Sequence, residues 1–196
     1  MDTCPFGFAP EGLICWRRPS DVVFDLEIKT KGTGKALRQG KIVVLACGNL
    51  LAGDDGVGIE VLRRLEAEGA PPGVALVEAG APGLGLVDLM VGAEKAVIVD
   101  AVAGGGPPGE VVRWREEELP TLQGCALTVH DVGIREALAW GRRVAPEAMP
   151  REVVVIGVRI AGTEAWHMGL SPAVAAAVPE AVRRVRAEIA RWLGAT

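Results

Sequence analysis

From Lys41 onward, short runs of consecutive apolar residues alternate with stretches whose apolar positions recur every three or four residues. That alternation is the pattern of an α/β domain. Ile42 to Ala46 is apolar without interruption, which predicts a strand buried on both faces. Ile59, Leu62 and Leu65 follow at spacings of three, and predict a helix from about Gly58 to Glu68 with one apolar side. A second strand is expected at Val74 to Val77, a short helix at Leu84 to Met90, and a third strand at Ala96 to Val99, ending at Asp100. The turn-forming run Gly104 to Pro108 leads into a fourth strand, Gly109 to Trp114. Asp131 to Arg143 is predicted as a helix with Ile134, Ala137 and Leu138 inward, and Val153 to Val158, continuous and β-branched, as a central strand. Pro172 to Leu193 reads as a long closing helix that Pro179 should kink or split.

Residues 1–40 do not share this pattern. They hold Cys4 and Cys15 and the glycine-containing run Lys29 to Lys35. A short strand is expected at Val22 to Ile28, where Val22, Phe24, Leu26 and Ile28 alternate with Val23, Asp25 and Glu27. The organisation expected is an N-terminal extension over 1–40 and one domain over 41–196, because 196 residues suit one core and are short for two.

Composition narrows the function classes. The chain is 49% hydrophobic and 23% charged with a formal net charge of -4, so it lacks the basic excess of nucleic-acid binders. Its apolar runs are far shorter than the roughly 20 residues of a membrane span. Met1 and Asp2 are not followed by a basic and then an apolar segment, so no secretion signal is read and a cytoplasmic location is expected. Cys4, Cys15, Cys47 and Cys125 are scattered without a CxxC pair; reduced thiols are expected, rather than a disulfide framework or a structural zinc site.

The candidate chemistry begins where the first strand meets the first helix, at Gly48-Asn49-Leu50-Leu51-Ala52-Gly53-Asp54-Asp55-Gly56-Val57-Gly58. Ligands of open α/β sheets sit at such carboxyl ends. A phosphate loop is excluded by spacing, because neither GxGxxG nor GxxxxGK[ST] is matched. It is excluded by charge as well, since Asp54 and Asp55 would oppose the anion. Helix capping is the plain reading of Asp54. Asp100 closes the third predicted strand and should reach the same edge, and His130 follows Leu127-Thr128-Val129 and precedes a predicted helix. Two carboxylates and an imidazole offer donors that suit a divalent first-row metal, without choosing nickel over zinc, manganese or iron. They are too far apart for a local motif such as HExxH, so the sheet must bring them together.

These residues carry a resemblance. Gly48-Asn49-Leu50 with Asp54-Asp55-Gly56-Val57-Gly58, then Val99-Asp100-Ala101, Gly109-Glu110-Val111, His130-Asp131-Val132-Gly133 and Gly169-Leu170-Ser171-Pro172 near Val178-Pro179 resemble, in order over residues 41–193, the hydrogenase maturation proteases. The resemblance implies a three-layer fold, a twisted, mostly parallel sheet with helices on both faces. It implies that Asp55, Asp100 and His130 bind nickel and are the catalytic set. It implies an endopeptidase that removes the C-terminal extension of a nickel–iron hydrogenase large-subunit precursor after nickel insertion, with the nickel supplied by that precursor. Ala46 and Cys47 stand where the family often has a glycine and an apolar residue, and Arg159 where a glutamine is common. Cys47 has no basic partner at catalytic spacing and is read as buried packing, and His167 as a surface or packing residue. One of the carboxylates, or Asp54, is the candidate general base. Two other readings remain: a non-catalytic nickel checkpoint or carrier that binds the precursor without cutting it, and a small-ligand binder that grips a cofactor in the first loop.

Overall fold

The computed structural model describes residues 41–120, 133–163 and 166–194. The extension over 1–40, with the strand expected at Val22 to Ile28, and His130 lie outside the described residues.

Nine strands and α-helices follow one another among the described residues: β1 (Ile42–Cys47), α1 (Val57–Glu68), β2 (Val74–Gly80), α2 (Leu86–Met90), β3 (Lys95–Ala103), β4 (Val111–Arg115), α3 (Ile134–Val144), β5 (Glu152–Ile160) and α4 (Pro172–Leu193). The strands form one sheet of order β2-β1-β3-β5-β4. Every pairing is parallel except that of β4 with β5. The four parallel strands take their apolar runs from the need to bury both faces, and β1 is buried at all six positions.

Alternation along the strands feeds two cores. Val44, Ala46, Val97, Val99, Val154 and Ile156 pack with α1 and α4 on one face. Val43, Leu45, Cys47, Ala96, Ile98, Val153 and Val155 pack with α2 and α3 on the other. The expected α/β, three-layer architecture is therefore the observed one.

Three elements differ from expectation in ways that matter. β3 does not end at Asp100 but runs on to Ala103. Its register with β1 stops at Ala46↔Val99, while its register with β5 continues through Asp100↔Gly157 to Ala103↔Ile160. The buried Ala101 and Val102 keep that second ladder going, so Asp100 lies inside a strand at the point where the neighbour β1 has turned away. The fourth strand starts later than expected, at Val111, because Gly109 and Glu110 still belong to the turn. Finally, α4 is not split: its 22 residues form one helix with Pro179 inside it. The apolar face that buries Val174, Ala177, Val178, Ala181 and Val185 is continuous across that proline, and tertiary packing outweighs the one backbone hydrogen bond the ring removes.

Candidate functional site

β1 delivers the chain to Gly48, where a sharp loop begins. Gly48 adopts φ 128°, and a Cβ there would lie 2.0 Å from the Asp55 carbonyl oxygen, so only glycine lets the loop fold back on itself. Asn49 organises the turn: its side-chain oxygen accepts the Leu51 N–H at 3.0 Å, and its own N–H donates to Asp55 Oδ2 at 2.8 Å. A 3-10 turn, Gly53–Gly56, carries both acidic residues into α1. Gly58 then lets the helix start press against the sheet, since a Cβ would lie 2.2 Å from the Cys47 carbonyl oxygen and 2.7 Å from that of Val99.

The two adjacent aspartates have different fates. Asp54 accepts both the Ser171 N–H (2.6 Å) and the Ser171 hydroxyl (2.8 Å), tying the loop to the residue that opens α4. Asp55 turns inward and is 2% exposed.

Asp100 is 1% exposed. Its Oδ1 accepts the Ala101 N–H at 2.9 Å, while its Oδ2 has no hydrogen-bond partner among the described residues. Burial, followed by the negative charge of Asp55, pushes the Asp100 carboxyl well above its ordinary range, and the Ala101 N–H opposes this. β1 and β3 are neighbours in the sheet, so Asp100 and the loop that follows β1 share its carboxyl edge. A buried carboxylate oxygen without a donor is costly unless a proton or a cation meets it. Two buried carboxylates are hard oxygen donors of the kind that suits a divalent cation. Among the described residues no three His, Cys, Asp or Glu side chains group so as to hold a metal by themselves. The third sequence candidate, His130, lies outside the described residues.

Cys47 ends β1 on the same face of the sheet as Asp100, buried and free. Burial first, then Asp100 and Asp55, push its thiol upward, which keeps it protonated and suits packing rather than attack. His167 is exposed, and its backbone carbonyl accepts the Gly53 N–H at 2.8 Å. Arg159 is committed within the protein: it pairs with Glu110 at 2.7 Å, bonds the Gly104 carbonyl and lies 6.0 Å from the Trp114 ring.

Comparison with known proteins agrees with this geometry. The model of a family described as hydrogenase maturation protease matches residues 59–188. The chain belongs to the hydrogenase maturation protease family. Membership makes it an endopeptidase. It is 31% identical over 158 residues to the hydrogenase expression/formation protein HupD of Rhodobacter capsulatus, covering 78% of this chain and 74% of that one. It is 29% identical over 151 residues to the hydrogenase 2 maturation protease of Escherichia coli, covering 76% and 90%. The solved structure of the hydrogenase maturating endopeptidase HybD from E. coli superposes with a TM-score of 0.67 at 29% identity, over 78% of this chain and 93% of that one. As a hydrogenase maturation protease, the chain has its acidic loop and Asp100 at the sheet edge where an α/β fold binds its ligands. Among the described residues no helix is long and apolar enough to cross a membrane.

Sequence reasoning missed the tie between Asp54 and Ser171 and the organising role of Asn49. The Gly169-Leu170-Ser171-Pro172 run carries a signal for the first, because a serine before a proline is a usual helix opening.

Proposed function

We propose that this endopeptidase depends on nickel and removes the C-terminal extension of a nickel–iron hydrogenase large-subunit precursor once nickel has been inserted. The observation that carries this reading is the buried pair of Asp55 and Asp100, with one Asp100 oxygen lacking a donor among the described residues. Two carboxylates sharing a water-poor edge repel one another, and a dication relieves that repulsion. The nickel belongs to the substrate and arrives with it.

Asp55, Asp100 and His130 are the proposed nickel ligands. Nickel docked with the precursor and held by these residues would supply a Lewis acid beside the scissile peptide. Asp55 is oriented for this by the Asn49 N–H. Asp100 is held by β3 and the Ala101 N–H, so its free oxygen is preorganised and needs little rearrangement on docking. Asp54 is left out of the proton-transfer roles, because both of its oxygens already accept from Ser171. One carboxylate of the pair, through an oxygen that the metal does not engage, is the candidate base.

The test uses purified nickel-loaded and nickel-free precursor with this protein, read by gel mobility and by the mass of any released peptide. Cleavage of the nickel-loaded form alone is expected. Binding without any mobility shift would favour a checkpoint, and equal cleavage of both forms would remove nickel dependence.

A further inference from the structure

The segment that leads into α4 is laid against the site loop. Gly53 donates to the His167 carbonyl at 2.8 Å, and Ala52 and His167 form an isolated parallel bridge. On either side of that bridge stand the two most exposed large apolar residues described, Trp166 at 87% and Met168 at 73%. Trp166 is also the only described non-glycine residue at positive φ, 64°, a conformation that bulky residues avoid.

Beside this segment lies a cavity of about 430 Å³ whose lining includes Leu50, Gly53, Gly56, Met168, Leu170 and Arg64. Gly53 and Gly56 bracket Asp54 and Asp55 in sequence, so whatever fills the cavity touches the loop that carries the site. The lining is largely apolar but also holds Glu60, Arg63 and Arg64. Arg63 pairs with Glu60 at 3.9 Å, Arg183 with Glu180, and Arg186 with Glu68. Arg64 has no ion-pair partner among the described residues, and it also lines the neighbouring groove of about 620 Å³ along α4.

We propose that this cavity receives the precursor polypeptide next to its cleavage point, taking an apolar side chain between Leu50 and Met168 and pairing Arg64 with an adjacent carboxylate of the precursor. The inference rests on the nickel-endopeptidase reading and adds to it which surface selects the substrate. A protein substrate must lie across the sheet edge to present a peptide bond there. The apolar lining continuous with the loop, together with an unpaired cation, is complementary to an apolar residue beside an acidic one. Anchoring contacts of this kind act on ground state and transition state alike, so their loss raises KM rather than lowering kcat.

The experiment measures steady-state cleavage of nickel-loaded precursor, and its binding by fluorescence anisotropy, for the full chain and for Met168→Asp, Arg64→Glu and Arg64→Lys. Both changed positions leave Asp55, Asp100 and His130 intact. Arg64→Glu and Met168→Asp should each raise KM and the precursor Kd about tenfold with kcat unchanged, while Arg64→Lys stays close to the parent. Unchanged KM in both disruptive variants overturns the proposal, as does a change confined to self-association in size-exclusion runs. A parent protein that binds precursor without cutting it defeats the endopeptidase reading, and the Kd ratios then decide the surface by themselves. A parent that does not bind precursor overturns the surface as well.

Discussion

Ser171 opens α4 and gives both its backbone N–H and its hydroxyl to the Asp54 carboxylate, at 2.6 and 2.8 Å. One side chain of the site loop thus satisfies a group at the start of a helix far away in sequence, and fixes where the loop sits. Asp54→Ala should cost about 1 to 2 kcal/mol in urea denaturation. Cleavage by the folded fraction should persist, because the neighbouring Asp55 keeps its own bond to the Asn49 N–H. A stable but inactive variant would return Asp54 to the chemistry.

Gly58 permits the contact of α1 with the end of β1 at Cys47 and with Val99 inside β3. Replacement by alanine puts a methyl group 2.2 Å from one backbone oxygen and 2.7 Å from another, neither of which can turn aside as a side-chain tip would. The expected loss is about 2 kcal/mol. An unchanged denaturation midpoint would show that the helix slides outward without penalty.

The Asp100 carboxyl is pushed up by burial and then by Asp55, and this sets a pH dependence with a definite sign. A carboxyl raised in the folded state contributes stability that is complete below the unfolded value of about 3.9 and is lost as pH rises through the folded value. Without metal, Asp100→Asn should therefore gain stability relative to the parent as pH rises above the unfolded value of about 3.9, and the difference should grow with pH until the folded carboxyl is ionised. Glu152 and Glu188, whose carboxyls are lowered by their arginine neighbours against the opposing effect of burial, act with the opposite sign in both proteins and cancel in the difference. A variant that loses stability relative to the parent over that range would contradict the arrangement.

At the other end of the sheet, Glu188 on α4 accepts from Arg113 of β4 at 2.6 Å and from Arg191 at 2.7 Å. Glu188→Ala strands a partly buried guanidinium and should cost about 2 kcal/mol. Because the pair is distant in role from the site, kcat for precursor cleavage should not move; a fall in kcat would show that this clamp supports the chemistry.

Much of this arrangement is legible in the chain, and the parts that are not have physical reasons. Continuous apolar runs such as Val153 to Val158 announce buried parallel strands, because parallel sheets leave neither face to water. The end of β3 is hidden: Asp100 interrupts the apolar run, yet the strand continues because its partner on one side, β5, goes on pairing after β1 stops. No single-strand pattern reports a one-sided ladder. Asp54 and Asp55 look alike in sequence, and only the arrival of Ser171 separates a tie from an inward-facing carboxylate. Arg159 stands where the family commonly has glutamine, and its pairing with Glu110 depends on the turn at Gly104, a contact that spacing alone does not forecast.

The most direct measurement is cleavage of nickel-loaded precursor by Asp55→Asn and His130→Ala beside the parent protein, with folding verified by circular dichroism. Loss of either proposed metal donor should lower kcat by about a hundredfold or more. Full activity in both would contradict the account, because the site would then not meet the metal through these residues.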